Sequence, residues 1–324
     1  MQFIKYPSLT NHYVVHKANF INPDNQYVST EKIHGSNVSI VIDNKDNIEI
    51  AKRTSFLTDH EKTVRPWNTL QNFVTENKTL ILNWTEQIRN IAKNYGPIEQ
   101  IHMYGELYGS SVQNMEYTEN LNNIRRIRFF DIHILLENNH RLALSQTDMS
   151  QIFGDDYTVP VLRTGTLSEL IETAVELDSK LGGHAEGEVY KPADRYIFEP
   201  DDFDNIHYPV IKQKNERFLE KSTKSIKTPA TYTEEEKAVI TAVESRITKQ
   251  RLLNVLSHGD IEVDPKNTGV IIKAMLEDIK SEITQEEPEL NLAHGHLIGK
   301  QGGKIAALFR EYLSDISQQE LSSK

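Results

Sequence analysis

The feature that most limits what this chain can fold into is a change of hydrophobic period about two thirds of the way along it. In residues 27–30, 38–42, 46–53, 101–107, 127–135, 184–191 and 207–212, apolar and polar residues alternate in the period of half-buried strands. Two segments interrupt them at helical spacing. Residues 69–95 carry Leu70, Phe73, Leu80, Trp84, Ile88 and Ile91 before a Gly96-Pro97 stop, and residues 167–181 carry Leu167, Leu170, Ile171, Ala174, Val175 and Leu181 before Gly182-Gly183. After residues 223–231, a polar and basic stretch containing Pro229, the period is helical throughout. Thr233 with Glu236 forms a capping box ahead of Val239, Ile240 and Val243, Asp264-Pro265 opens a second run, and Ile305, Leu308, Phe309 and Tyr312 supply a third. The pattern predicts an α+β protein: an antiparallel-sheet domain over residues 1–222, a linker at 223–231, and an all-helical domain over 232–324.

Several classes are set aside at once. The 324 residues include no cysteine, so there is no disulfide or thiolate metal site. No apolar run approaches a membrane span, and the start lacks a signal-peptide pattern, so the chain is expected in the cytoplasm, with no membrane or protein partner implied. A net charge of −11 argues against coating nucleic acid by charge alone. The charge is uneven, however: residues 212–227 hold six basic side chains against two acidic ones, and Arg125, Arg126 and Arg128 cluster before Phe129.

Chemistry gathers around Glu31-Lys32-Ile33-His34-Gly35-Ser36-Asn37, which places a lone lysine at a corner between two predicted strands. A lysine amine there can act as a nucleophile once a neighbouring cation or desolvation favours its neutral form. Carboxylates recur at strand ends further on: Glu106 in Tyr104-Gly105-Glu106-Leu107, Asp131 in Phe129-Phe130-Asp131, and Glu186 with Glu188 in Glu186-Gly187-Glu188-Val189-Tyr190-Lys191-Pro192. On a regular strand Glu188 would point the same way as Glu186, and Lys212 and Lys214 would share a face. Taken singly, each fragment is as well explained by a solvated edge or a core aromatic. Order and spacing together carry the signal.

In that order the motifs resemble those of the covalent nucleotidyltransferases, and His34, Lys52-Arg53-Thr54 and the helical tail are similar to the RNA ligase 2 family, which includes phage enzymes. The resemblance implies an ATP-grasp-like antiparallel-sheet ligase domain and an ATP-dependent RNA ligase acting in RNA repair. Its partner would be RNA with 5′-phosphate and 3′-OH ends, most simply a nick in duplex RNA, and a phage-encoded protein would act in the host cytoplasm. By the same resemblance Lys32 takes AMP from ATP, Lys212 and Lys214 hold the α-phosphate, and His34 and Asn37 serve catalysis. Glu31, Ile33, Arg53, Glu106, Phe130, Asp131 and Glu186 line the nucleotide site. Glu106 and Glu186 hold Mg2+ (or Mn2+), and Arg251 contacts RNA. A DNA ligase or capping guanylyltransferase would instead append a barrel of short strands, and a noncatalytic binder of nicked RNA would keep the pocket without turnover. A glycine-rich run at residues 297–305 resembles the loop of KH domains but lacks flanking strand patterns.

Overall fold

A computed structural model describes residues 1–18, 20–110, 112, 117, 124–174, 178–198, 208–215, 218, 232–257, 261–290 and 295–322. The chain divides into two compact units, Met1–Asn215 and Glu216–Lys324. The predicted linker at 223–231 lies outside the described residues.

The strands of the first unit are β1 (Thr10–Asn11), β2 (Gln26–Lys32), β3 (Ser36–Asp43), β4 (Ile48–Lys52), β5 (Ile98–Gly109), β6 (Arg125–Leu136), β7 (Arg141–Ala143), β8 (Val161–Thr166), β9 (Gly187–Pro192), β10 (Tyr196–Phe198) and β11 (Ile211–Lys214). They form a five-stranded sheet in the order β1-β11-β9-β2-β8 and a six-stranded sheet in the order β10-β7-β6-β5-β3-β4. Every pairing between these strands is antiparallel except β1 with β11. The turn between β2 and β3 passes directly from one sheet to the other, because β2 ends at Lys32 and β3 begins at Ser36.

One face of the six-stranded sheet is covered by helices α1 (Asn68–Glu76), α2 (Lys78–Ala92) and α3 (Gln146–Tyr157). Val38, Ile40, Met103, Leu107, Phe129, Ile132 and Ile134 pack there against Leu70, Ile81, Trp84, Ile88 and Phe153, which removes them from water almost completely. The predicted helix over 69–95 is two helices. Asn77 leaves the helical region at φ −113° and ψ 22°, and its side-chain amide donates to the Phe73 carbonyl, closing α1 before α2 begins. Helix α4 (Leu167–Glu172) is shorter than predicted and starts at a Thr166–Glu169 capping box. It packs Leu167 and Leu170 with Tyr27, Tyr190 and Ile211 on the outer face of the five-stranded sheet.

The second unit contains helices α5 (Glu234–Ser245), α6 (Lys249–Ser257), α7 (Thr268–Glu286), α8 (Gly295–Lys300) and α9 (Gly302–Ser322). The Thr233–Glu236 capping box is present, and Asp264 accepts the Lys266 N–H at a Pro265–Asn267 3-10 turn that leads into α7. Val239, Val243, Ile279, Ile283 and Ile298 form one core cluster; Leu252, Ile271, Met275, Ile305 and Phe309 form another. The glycine-rich run falls at the junction of α8 and α9. No helix among the described residues is long and apolar enough to cross a membrane.

Candidate active site

Strand register decides which side chains meet. Lys32 lies opposite Gly187, which in turn lies opposite Lys214; one row along, Thr30, Val189 and Lys212 align. Residues directly opposite one another share a face, so β2 and β11 place Lys32, Lys212 and Lys214 on the same side of the five-stranded sheet. That side is the inner one: Val189 packs with Tyr104, Tyr208, Val210 and Phe130, so the two sheets share a core there.

Glu186 sits at the centre of the cations. Its Oε2 is 2.8 Å from Lys32 Nζ and 3.1 Å from His34 Nδ1, and its Oε1 is 3.2 Å from Lys214 Nζ. Burial pushes this carboxyl up, but Lys32, Lys214 and His34 outweigh it and hold it well below the usual carboxylate range.

Glu188 does not share this position. It points to the outer face, where it accepts bonds from Ser29 and, at 2.7 Å, from Arg163. The alternation expected between Glu186 and Glu188 fails because β9 begins only at Gly187, whose φ of 154° turns the preceding residue to the other side. A Cβ on Gly187 would stand 2.0 Å from the Gln213 carbonyl oxygen, so the close approach of β9 and β11 needs glycine there.

The second sheet contributes Glu106, opposite Asn37 in the β3–β5 register, with both side chains half-buried. Burial pushes Glu106 up to about 8 against the attraction of Lys32 and Arg53, and Glu186 adds to the rise. Arg53 lies one residue past β4, half-buried and close enough to act on this carboxyl. The turn that carries His34 presses against β5: a Cβ on Gly35 would stand 2.3 Å from the Leu107 carbonyl oxygen and 2.9 Å from Glu106 Cγ. His34 itself is fixed by its backbone N–H, which donates to Tyr117 Oη at 2.6 Å.

Phe130 reaches the cleft through a bulge. The register pairs Gly105 with Phe129 and Tyr104 with Asp131, leaving Phe130 as the extra residue. Phe129 therefore stacks on Phe153 in the helix-covered core, while Phe130 turns inward beside Tyr6, with centroids 4.9 Å apart, and packs on the cluster of Ile33, Tyr108 and Tyr117.

Three expected site residues lie elsewhere. Asp131 is completely buried: it accepts bonds from Tyr6, Tyr208 and Lys191, and despite burial Lys191 and His133 hold it well below the usual range. It joins the two sheets beneath the cleft and is not open to a ligand. The Glu31 carboxylate faces outward, opposite to Lys32, and is taken by the Ser179 hydroxyl and the Lys180 N–H. Arg251, expected to contact RNA, is 1% exposed; its guanidinium binds Asp278, Glu282 and the Arg246 carbonyl, tying α6 to α7. Sequence reasoning also passed over Lys191, although the two-residue step from Gly187 through Val189 assigns it to the inner face.

The family model for RNA ligases matches residues 25–214, and that for the T4 RNA ligase 2 C-terminal domain matches residues 230–317. Among solved structures, an RNA ligase of Naegleria gruberi in an apo mutant form is 18% identical, covering 68% of this chain and 58% of that chain with a TM-score of 0.46. A mutant with AMP and Mn is 16% identical, covering 67% of this chain and 57% of that one with a TM-score of 0.45, and a mutant with ATP and Mn is 16% identical, covering 68% and 59% at 0.44. This chain thus spans less than two thirds of those proteins. Lys32, Glu106, Glu186 and the Lys212–Lys214 pair all fall inside the first matched segment, and α5 to α8 with most of α9 fall inside the second: the chain belongs to the RNA ligase family and carries a C-terminal domain of the T4 RNA ligase 2 type.

Proposed function

We propose that this chain is an ATP-dependent RNA ligase that joins a 3′-OH to a 5′-phosphate, with nicks in duplex RNA as its substrate. The observation that carries the reading is the inner-face placement of Lys32, Lys212 and Lys214, with Glu186 held between Lys32 and Lys214. A nucleophilic amine flanked by two further cations is what transfer of a charged phosphoryl group requires, since such chemistry depends chiefly on positioning and charge neutralisation.

Three displacements at phosphorus follow. Lys32 Nζ, having shed its proton, attacks the α-phosphorus of ATP; a P–N bond forms, and the bond to pyrophosphate breaks. An oxygen of the RNA 5′-phosphate then attacks the same phosphorus, freeing Lys32 and leaving AMP joined to the RNA end. Finally the 3′-OH attacks the RNA 5′-phosphorus and AMP departs. Lys212 and Lys214 neutralise the α-phosphate oxygens in the first two steps. Phe130, which packs beside Ile33, would offer a face for the adenine, and Arg53 and Glu106, close enough to act on each other, would contact the ribose. His34 holds Glu186 in position, and Asn37, opposite Glu106, would orient phosphate in the later steps.

Glu106 and Glu186 fit a magnesium or manganese ion. Two buried carboxylates that raise each other's cost of ionisation suit a hard cation that completes its shell with water and phosphate oxygen, and among the described residues no group of three or more His, Asp or Glu side chains forms a protein-only cage. Such an ion, when bound, supplies charge neutralisation at the phosphates. The helical unit would engage RNA through residues other than Arg251.

The test is a single turnover with ATP, Mg2+ and a nicked RNA duplex labelled at its 5′-phosphate. An RNA-adenylate followed by sealed strand supports the reading, and binding of the nick without either product supports the noncatalytic alternative. Labelling from GTP in place of ATP would point to capping chemistry.

A further inference from the structure

Lys32 and Glu106 stand on different sheets, so their separation is set by whatever fixes one sheet against the other. Beside the nucleophile the chain crosses between the sheets at residues 158–161. Thr158 forms a parallel bridge with Phe129, and the Val159 N–H donates to the Phe129 carbonyl at 3.0 Å, so the crossing starts on the six-stranded sheet. It ends on the strand of Lys32: the Pro160 carbonyl accepts the Glu31 N–H at 2.9 Å, and Val161 pairs with Thr30.

Arg128 ties this crossing down. It lies opposite Glu106 in the β5–β6 register, hence on the cleft face, and is half-buried. Its Nε donates to Tyr108 Oη at 3.1 Å, and its Nη1 donates to the carbonyls of Thr158, at 2.9 Å, and of Asp155. Asp155 belongs to the last turn of α3, whose final carbonyls have no partner within the helix, and a cation is favourable at that end. Oxygens from the strand of Glu106, the end of α3 and the start of the crossing thus converge on one planar fork. All three are neutral, so Arg128 supplies direction there rather than charge pairing. Tyr108 and Val159 pack with Ile33, so the residues on both sides of Lys32 are braced by segments that Arg128 holds.

We propose that Arg128 is a positioning residue for the nucleophile: by clamping the end of α3 and the start of the crossing, it sets the strand of Lys32 against Glu106 and Phe130 on the other sheet. The inference rests on the proposed ligase function. Lys32 is bonded to phosphorus only in the first two displacements, since in the third the 3′-OH attacks and AMP leaves without it. Loosening the clamp should therefore slow AMP transfer through Lys32 and spare the closing step.

The experiment uses the full chain as wild type, as Arg128→Met, which keeps an apolar stem and removes every donor, and as Arg128→Lys, which keeps the charge but not the planar fork. Two single turnovers are measured on each: formation of lysyl-AMP from ATP, and sealing of a nicked RNA duplex that already carries AMP on its 5′-phosphate. Arg128→Met should slow lysyl-AMP formation by about tenfold or more, up to about 100-fold for a displacement near 1 Å, with the half-saturating ATP concentration within about twofold of wild type. Sealing of the adenylylated nick should stay within about threefold, which also reports that the fold is intact. Arg128→Lys should stay closer to Arg128→Met than to wild type. Equal slowing of both reactions makes Arg128 a general support of the fold and overturns the proposal. An unchanged rate of lysyl-AMP formation also overturns it, as does full recovery in Arg128→Lys, which assigns the effect to charge. A wild-type protein that neither takes AMP from ATP nor seals the adenylylated nick removes the ligase reading, and this inference falls with it.

Discussion

Replacing Gly187 by alanine tests the geometry on which the site depends. The new Cβ would stand 2.0 Å from the Gln213 carbonyl oxygen and 2.8 Å from Lys214 Cα, where ordinary contact begins at 3.4 Å. Nothing there yields easily, because both obstacles are backbone and the strand end is pinned by Asn215, whose N–H donates to Glu186 O at 2.9 Å and whose amide donates to Ala185 O at 2.8 Å. Overpacking costs about 1–3 kcal/mol and a backbone conformation reserved for glycine about 1–3 more, so a loss of about 4 kcal/mol is the central expectation. In a unit of this size that lowers the melting midpoint by roughly 8–16 °C. The displacement also falls between Glu186 and Lys214, and a misplacement of about 1 Å in a reacting constellation can cost roughly 100-fold in rate. Thermal melting followed by circular dichroism and single-turnover adenylylation measure the two effects separately. A Gly187→Ala protein that melts within about 2 °C of wild type and keeps its rate would refute the reasoning.

Other consequences follow from the same geometry. Glu186→Gln should cut lysine adenylylation by about 100-fold or more, whereas Glu188→Gln, on the outer face, should leave the rate within a few-fold and lower only thermal stability; equal losses would contradict the assignment of faces. Glu106 is pushed up to about 8 in the folded chain, so the stability its protonated form contributes is complete below the ordinary carboxylate range near 4.5 and is lost as pH rises toward 8. In metal-free buffer the urea midpoint of wild type should therefore fall from pH 5 to pH 8 by more than that of Glu106→Gln, and parallel curves would count against the buried carboxyl. Arg251→Ala should destabilise the helical unit by about 3 kcal/mol, toward the low end for a broken buried pair because Asp278 keeps solvent access, while adenylylation stays at the wild-type rate. An unchanged melt with weaker RNA binding would restore Arg251 to the RNA surface.

Much of the fold was legible because its two periods are clean. The rows of strand residues that carry Lys32, Glu106, Lys212 and Lys214 could be read from alternation alone, since a period of two fixes the face once one member is placed. Where alternation breaks, the sequence misleads. Gly187 turns Glu186 away from Glu188, and the bulge at Phe130 turns it from Phe129 toward the cleft. Neither event has a local signature beyond a glycine and an extra aromatic residue. Charged residues taken for ligand contacts proved harder still. Asp131, Glu31 and Arg251 are each engaged by partners far along the chain, the Lys191 ammonium, the Lys180 backbone N–H and the Asp278 carboxylate among them, and no local pattern announces such long-range pairing.

The most direct test of the central claim is to incubate the purified protein with Mg2+ and α-labelled ATP and to map the acid-stable adduct by peptide mass spectrometry. The account predicts one AMP per chain on Lys32, absent from a Lys32→Ala protein that melts like wild type. Label on another residue, label retained in Lys32→Ala, or no label at all would contradict it.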